Sequence, residues 1–263
     1  MRKNLFNLSS TSWQSLKSIC REKVSVLSFK DYEIIQSKQL AVCFSGLVDS
    51  WPAISSSTDK WENMKGLSER VGLGHIVPIE FGGTYMEKAM EVRYLEFYDY
   101  LLYLNELQNF GDQSMQTNMY LAQQSISDIC PLLEKDISPP LISTTGKNNL
   151  YKVNLWLGSK TSSPCHHDPF QNILCQVFGS KNIILFPPDQ SKYLYPAYGS
   201  VQKNTSLVNI LQPNMNMHPL FSQAIGYQCT IKAGDALFIP KVLVQFIMYS
   251  YFKIKNIMMF SCN

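Results

Sequence analysis

The spacing of hydrophobic positions changes about half way along the chain. In roughly the first 115 residues, apolar residues recur at helical spacing in three places and form two shorter strand-like runs. The predicted helices lie at residues 10–22, 61–71 and 95–107, and the predicted strands at 40–44 and 75–81. Ser10 or Thr11 can cap the first helix, and Gly82-Gly83 ends the second strand. This half therefore predicts a helical layer with a few strands.

The second half of the chain alternates short apolar runs with turn residues. Residues 120–123 predict a strand, and residues 129–137 predict a partly helical segment. Further strands are predicted at 151–157, 172–177, 182–186 and, as the final one, 236–239. Short strands with frequent turns are typical of sandwiches and barrels, among which jelly rolls and cupins hold metals inside the barrel mouth. We predict a mostly β protein with flanking helices, one domain over residues 1–263, with a helical layer at about 1–115 and a β core at about 116–263.

Composition and charge exclude several classes of protein. The 263 residues are 45% hydrophobic and 16% charged, with a formal net charge of +3, which is typical of a globular domain. One local basic cluster consists of Met1-Arg2-Lys3 with Lys17, Arg21 and Lys23. We interpret it as a solvated helix face in preference to a nucleic-acid arm. We therefore expect no direct nucleic-acid binding.

The cysteines and the hydrophobic runs indicate the cellular environment. Seven cysteines without Cys-x-x-Cys spacing predict reduced thiols and a protein of the nucleus or cytoplasm. The N-terminus lacks the apolar centre of a signal peptide, and there is no run of about eighteen apolar residues. We expect no membrane association.

The segment at residues 164–169 contains a histidine and an aspartate two residues apart. In an extended strand, His166 and Asp168 point to one face and His167 to the other. An imidazole and a carboxylate on one face are two of the three ligands in the 2-His-1-carboxylate set that holds non-haem Fe(II). Because His-x-Asp also occurs by chance, the surrounding residues decide its meaning.

Those surrounding residues resemble the motifs of JmjC-domain oxygenases, over about residues 24–241. The resemblance is carried by Asn154-Leu155-Trp156-Leu157-Gly158 and by residues 163–172, 176–181, 194–196, 204–206 and 234–240. It implies a double-stranded β-helix (the cupin-like jelly roll) that binds Fe(II), with 2-oxoglutarate as cosubstrate, and hydroxylates a side chain of a protein or peptide substrate.

The resemblance also implies roles for individual residues. His166 and Asp168 would be metal ligands. The cosubstrate residues would be Lys181 for the distal carboxylate, Tyr120, Ser163 and Asn172 as hydrogen-bonding partners, and Trp156 as a pocket wall. A dicarboxylate needs one fixed cation and several neutral donors, so the set is chemically reasonable. The alternatives are a hairpin lysine, a strand-edge amide and two core aromatic residues.

The position of the third metal ligand departs from the family. A histidine is expected a few residues after the Gly234–Pro240 motif, and Gln245 stands there instead. A neutral amide is a poor Fe(II) ligand compared with imidazole. His75 lies far upstream and His218 lies in a polar loop, so neither is expected to replace it. We expect little or no turnover.

The last 22 residues, 242–263, differ from the family in composition as well. They are rich in Phe, Ile, Lys, Met, Asn and Tyr, and contain no Gly, Ala, Pro or Arg. One hypothesis is that they are translated intron or a wrong gene model. The alternative is a divergent closing strand, because residues 253–260 have high β propensity.

Three classes of function remain open. The first is a 2-oxoglutarate oxygenase, either an arginyl hydroxylase or a histone lysine demethylase, and no residue chooses between them. The second is an inactive JmjC-fold binding module, and the third is a sugar-binding or isomerising cupin. The third class has no need for Lys181, Asn172 and Tyr120. Gly82-Gly83-Thr84-Tyr85 is either part of a substrate groove or an ordinary loop.

Overall fold

The computed structural model describes residues 16–18, 20–23, 29–82, 90–110, 119–144, 150–158, 163–197, 204–241, 243–249 and 255–262. The strands in these ranges are β1 (Leu16–Ser18), β2 (Cys20–Lys23), β3 (Val42–Ser45), β4 (Ile76–Phe81), β5 (Glu91–Glu96), β6 (Met119–Ser125), β7 (Leu150–Gly158), β8 (Gln171–Phe178), β9 (Ser180–Phe186), β10 (Gly226–Lys232), β11 (Ala236–Ile239), β12 (Val244–Tyr249) and β13 (Lys255–Cys262). The α-helices are α1 (Phe29–Ser37), α2 (Pro52–Ser55), α3 (Met64–Val71), α4 (Phe97–Phe110) and α5 (Ile126–Ile129). Short 3-10 helices lie at Pro131–Asp136, Leu141–Ser143, Pro188–Tyr193 and Pro219–Gln223.

Two mostly antiparallel sheets form the β core. The large sheet has the strand order β2-β3-β11-β8-β13-β7-β6-β4-β5, and the small sheet has the order β1-β10-β9-β12. Consecutive strands β8 and β9 lie in different sheets although only Gly179, with φ of 74°, separates them. Repeated crossing between two facing sheets is the topology of a jelly roll. The predicted cupin-like β fold is confirmed.

Alternation along the strands divides the apolar residues among three clusters. The interior cluster lies between the two sheets and contains Leu174 of β8, Leu237 of β11 and Ile183 and Leu185 of β9. The main core packs the opposite face of the large sheet against the helices, with Ile173 among its residues. An outer cluster covers the far side of the small sheet under residues 187–197 and 204–225.

The predicted helix at residues 10–22 is wrong over the part that the structure describes. Residues 16–18 and 20–23 form β1 and β2, which pair in parallel with β10 and β3. Their backbone groups complete two sheet edges, and this tertiary pairing overrides the local helical spacing. Lys17, Arg21 and Lys23 therefore lie on strands and not on a helix face, while residues 1–15 lie outside the described ranges.

The predicted helix at residues 95–107 begins later and ends later than expected. Residues Glu91–Glu96 form β5, which pairs with β4 along its whole length. The helix α4 starts at Phe97, whose N–H donates to the carbonyl of His75. Of the predicted helix, only Leu95 and Glu96 fall in this strand, where pairing with β4 overrides the helical pattern.

The tail after residue 241 supplies two strands. β12 pairs with β9, and β13 lies between β7 and β8 and pairs with both. The prediction that residues 236–239 form the final strand is therefore wrong. The strand expected at residues 253–260 is present as Lys255–Cys262. Because β13 fills the centre of the large sheet, the structure favours the closing-strand alternative for the tail.

The thiols and the helix lengths agree with the composition. Cys43, Cys130, Cys165 and Cys175 are free and buried, and Cys229 is free and half-buried. Among the described residues, no helix has the length and apolar character needed to cross a bilayer.

Candidate functional site

His166 and Asp168 lie at the mouth of the barrel with their side chains facing each other. Residue 166 forms a bridge with Thr205, which fixes this segment beside residues 204–206. His166 Nε2 lies 3.6 Å from Asp168 Oδ1, and both side chains are partly accessible. His167 is exposed, and Cys165 is buried in the outer cluster. The segment is an isolated bridge at residue 166 and not a strand, so the expected alternation about residue 167 stays a prediction.

The outer atoms of both side chains are held by hydrogen bonds. The carbonyl of Pro164 lies 2.7 Å from His166 Nδ1, which fits an Nδ1–H donor and leaves the lone pair on Nε2. Asn172 donates from Nδ2 to Asp168 Oδ2 at 2.7 Å. Such contacts orient metal-binding side chains in proteins. With Nδ1 and Oδ2 held in this way, His166 Nε2 and Asp168 Oδ1 face each other at 3.6 Å.

The distance between these two atoms fits a shared metal ion. Donor atoms that each lie about 2.1 Å from a metal are roughly 3.0 to 3.6 Å apart when the angle at the metal is 90° to 120°. The observed separation of 3.6 Å lies at the upper end of this range. The imidazole and carboxylate thus fit two positions of a divalent ion such as Fe(II).

Lys181 lies deep in the barrel, on the interior face of β9. Its side chain is only 2% exposed, and residues 183 and 185 on the same face belong to the interior cluster. A buried ammonium is stabilised best by an anion, so this position suits a carboxylate. This burial fits the cosubstrate role, which stays a prediction beside the alternative of a hairpin lysine.

Trp156, Asn172 and Tyr120 share the interior face with Lys181. Trp156 packs against the interior cluster, and Asn172, which is 2% exposed, alternates with Leu174 of that cluster. Tyr120 pairs with Gly158 across β6 and β7. A Cβ on Gly158 would lie 2.8 Å from Tyr120 Cδ2, so the tyrosine ring occupies the space that the glycine leaves.

Ser163 lies at the start of the segment that carries His166. It is half-buried and follows residues 159–162, which lie outside the described ranges. Five elements, namely β6, β7, β8, β9 and the 163–168 segment, thus carry the seven predicted site residues. Their roles remain predictions.

The register of β12 gives the place of Gln245. It pairs with Leu185 of β9, so its backbone position belongs to the face that lines the barrel interior. His75 Nε2 instead lies 4.0 Å from Cys130 Sγ, and His218 packs edge-on against Tyr195. Within the described ranges, no group of three or more His, Cys, Asp or Glu residues is arranged to hold a metal. The two-residue set is thus without a third strong ligand among these residues.

Glu80 is a site residue that the sequence did not single out. It pairs with Tyr120 across β4 and β6, so both side chains belong to the same face of the large sheet. Burial raises the pKa of the Glu80 carboxyl. The alternation of residues 76–81 shows which face Glu80 occupies, but its approach to Tyr120 depends on a pairing between strands about forty residues apart.

The comparisons with known proteins agree with the cupin-like fold. A profile described as the cupin-like domain matches residues 32–244. Lysine-specific demethylase 8 of Xenopus tropicalis is 32% identical over 221 residues, which cover 82% of this chain and 46% of the relative. Jumonji C domain-containing protein 5 of Drosophila melanogaster is 32% identical over 200 residues, which cover 73% of this chain and 47% of the relative.

A relative that is named for a different role also matches. The tRNA wybutosine-synthesizing protein 5 of Homo sapiens is 31% identical over 162 residues, which cover 59% of this chain and 46% of the relative. The chain spans about half the length of the curated relatives it matches. The profile ends at residue 244, next to the position of Gln245, so most of the tail lies beyond the match.

Proposed function

This chain belongs to the cupin-like JmjC domain family, and we propose that it forms the scaffold of an Fe(II)- and 2-oxoglutarate-dependent oxygenase that modifies a protein side chain. The observation that carries the proposal is the His166–Asp168 pair. Its donor atoms lie 3.6 Å apart, and Pro164 and Asn172 hold its outer atoms. The arrangement resembles two thirds of a facial triad.

The chemistry would come from the bound groups, and the chain would position them. Fe(II) with 2-oxoglutarate and dioxygen supplies oxidation of a substrate C–H bond to C–OH, with release of succinate and CO2. His166 Nε2 and Asp168 Oδ1 would hold the metal. Lys181 would bind the distal carboxylate, with Tyr120, Ser163 and Asn172 as further partners and Trp156 as a wall. The buried interior face would keep bulk water from the reacting atoms.

A cationic side chain is the substrate that the site favours. Glu80 lies on the same face as Tyr120, and burial makes its negative charge costly. An arginine or lysine side chain placed beside Glu80 would offset that cost and form a charge-assisted hydrogen bond. A planar guanidinium can bind both carboxylate oxygens, so we favour arginyl hydroxylation over lysyl demethylation.

Gln245 favours a second candidate function, an inactive binding module. Its position on the interior face is the one at which the family resemblance expects histidine. A metal held by two strong protein ligands should bind more weakly than one held by three, since the energy of a multi-ligand site, about 10–16 kcal/mol in zinc fingers, is shared among its ligands. The chain as written should therefore be an impaired oxygenase, or a module that binds without turnover.

Two other substrate classes are less well supported. An RNA substrate, as in the name of the wybutosine relative, requires a basic surface, whereas Glu80 adds negative charge beside Tyr120. A sugar-binding cupin has no need for the set of Lys181, Asn172 and Tyr120. Neither class accounts for the whole residue set.

Calorimetric titration with Mn(II), a redox-inert substitute for Fe(II), and then with 2-oxoglutarate tests the proposed site. We expect His166→Ala to abolish metal binding, and Lys181→Met to leave metal binding intact and weaken 2-oxoglutarate binding at least tenfold, or about 1.4 kcal/mol. His167→Ala is the matched control because His167 is the exposed neighbour of both ligands. Equal metal affinity in the His166 and His167 variants would contradict the proposal.

A further inference from the structure

The face of β4 and β5 that is turned away from the main core carries exposed apolar side chains and two glutamates. Alternation places Val77 and Ile79 in the main core and leaves Ile76, Pro78 and Glu80 on the other face. The register pairs these three with Glu96, Tyr94 and Val92 of β5, respectively. We call these six residues the β4–β5 face.

Three apolar side chains on this face are open to solvent. Tyr94 is 73% exposed, Ile76 is 54% exposed and Val92 is 45% exposed. Each lies on a regular strand with fixed neighbours, and not on a loop. Exposed apolar groups that share one face and are rimmed by charges are typical of interaction surfaces.

The β4–β5 face is continuous with the candidate site. Glu80 pairs with Val92 on one side and with Tyr120 on the other. Tyr94 lies two strands across the sheet from Tyr120 and two positions along the strand. With strands about 4.8 Å apart and a rise of about 3.3 Å per residue, the two tyrosines are roughly 12 Å apart. An extended peptide covers that distance in about three to four residues.

The charges on this face have one sign. Glu80 and Glu96 are its two carboxylic acids, and Glu96 Oε2 accepts a hydrogen bond from the Gly74 N–H. Arg93 belongs to the opposite face, where its guanidinium lies 4.8 Å from the centre of the Phe81 ring and pairs with Glu91. The β4–β5 face is therefore apolar and acidic, and it complements a segment that is apolar and basic.

We propose that the β4–β5 face is the docking surface for the part of the protein substrate that flanks the modified residue. The occupant is an extended segment with a cationic residue at the site and an apolar side chain three or four residues away, seated on Tyr94, Val92 and Ile76. This inference rests on the proposed function for the site itself. It adds the requirement that the flanking sequence, and not only the modified residue, selects the substrate.

Fluorescence anisotropy with three labelled 13-residue peptides tests the proposal on the full chain, without iron or dioxygen, so that turnover does not enter. The first has a central arginine in a Gly-Ser background, with leucine three and four residues to each side. The second replaces the leucines with serine, and the third replaces the arginine with glutamate. We expect the first to bind about tenfold more tightly than either of the others, as for burial of one aliphatic side chain.

The protein variants separate this face from other exposed apolar residues. Tyr94→Ser and, independently, Ile76→Ser should remove the preference for leucine over serine and should keep the thermal unfolding temperature of the original chain. Met217→Ser is the matched control, because Met217 is 68% exposed and lies in the 204–225 region, far along the chain from β4 and β5. It should leave the preference unchanged.

Several results would overturn the docking surface. They are equal binding of the leucine and serine peptides, no binding of any peptide, or a preference that survives both serine variants. A dimer in sedimentation velocity that Tyr94→Ser converts to a monomer would assign the face to a second copy of this chain. A leucine preference without metal binding would instead support the surface and refute the oxygenase, so the two proposals fail separately.

Discussion

Asn172 holds Asp168 from inside the barrel, through a 2.7 Å hydrogen bond from Nδ2 to Oδ2. Asn172 lies on β8, where it pairs with Ile239 of β11, so its position is fixed by the large sheet. The bond leaves Oδ1 as the oxygen nearest to His166 Nε2. The large sheet thus sets the direction of a carboxylate that lies on an irregular segment.

Removing this hydrogen bond should weaken metal binding. We expect Asn172→Ala to lower the affinity for Mn(II) by about 10- to 100-fold, the usual effect of losing a residue that orients a ligand. The titration is made without 2-oxoglutarate, so that any cosubstrate contact of Asn172 does not contribute. Asn182→Ala, which removes a hydrogen bond to Thr230, is the control. Unchanged affinity in a folded Asn172→Ala variant would refute the orienting role.

We expect the ionised Glu80 carboxylate to strengthen binding of a cationic substrate and to lower the free energy of unfolding. Because burial raises the pKa of its carboxyl, the folded state holds this proton more tightly than the unfolded state. The resulting stabilisation is present at low pH and is lost as the pH rises through the folded-state pKa. At pH 7 the ionised carboxylate is therefore a cost that Glu80→Gln removes.

We accordingly expect Glu80→Gln to raise the unfolding temperature at pH 7, and the difference from the original chain to shrink towards pH 4. The same variant should bind the arginine peptide more weakly at pH 7. Calorimetric melting curves at both pH values and one anisotropy titration measure the two effects. A variant that melts lower at pH 7 than the original chain would contradict the assigned cost of burial.

Gly158 is required by the tyrosine that packs over it. An added Cβ would lie 2.8 Å from both Tyr120 Cδ2 and the carbonyl oxygen of Met119. Because one of these is backbone, relief requires the strands to separate, and overpacking of this kind costs about 1 to 3 kcal/mol. We expect Gly158→Ala to reduce the free energy of unfolding by that amount in urea and to weaken 2-oxoglutarate binding. Unfolding free energy equal to that of the original chain would contradict this overpacking, because both the Tyr120 ring and the Met119 backbone would have to shift at no cost.

Much of the β core could be predicted from local pattern. Alternation and turn residues located β7, β8, β9 and β11 to within a residue or two, and the motif string located His166 and Asp168 between β7 and β8. These elements carry their own signals because one face of each strand is buried and the turns require Gly or Pro.

The remaining elements depend on distant partners. Residues 16–23 are strands because β10 and β3 offer them sheet edges, and residues 91–96 are a strand because β4 lies beside them. Glu80 joins the site only through its pairing with Tyr120. Gly83-Thr84-Tyr85, predicted as groove or loop, lies outside the described residues, whereas Gly82 ends β4 with φ of 99°.

The tail is essential to the large sheet. β13 separates β7 from β8 and pairs with both, so its removal would leave two buried strand edges unpaired. We expect a chain that ends at residue 241 to be insoluble or to lack a cooperative thermal transition. If it melts like the full chain, the tail is dispensable, and the hypothesis that residues 242–263 are translated intron gains support.

We propose an oxygenase scaffold that lacks one metal ligand at residue 245. The most direct measurement is succinate release from Fe(II), 2-oxoglutarate and dioxygen, compared between the chain as written and Gln245→His, with the arginine peptide present. We predict little or no succinate from the first and clear, peptide-stimulated release from the second, which His166→Ala abolishes. Absence of release from a folded Gln245→His variant that binds both Mn(II) and 2-oxoglutarate would contradict the claim.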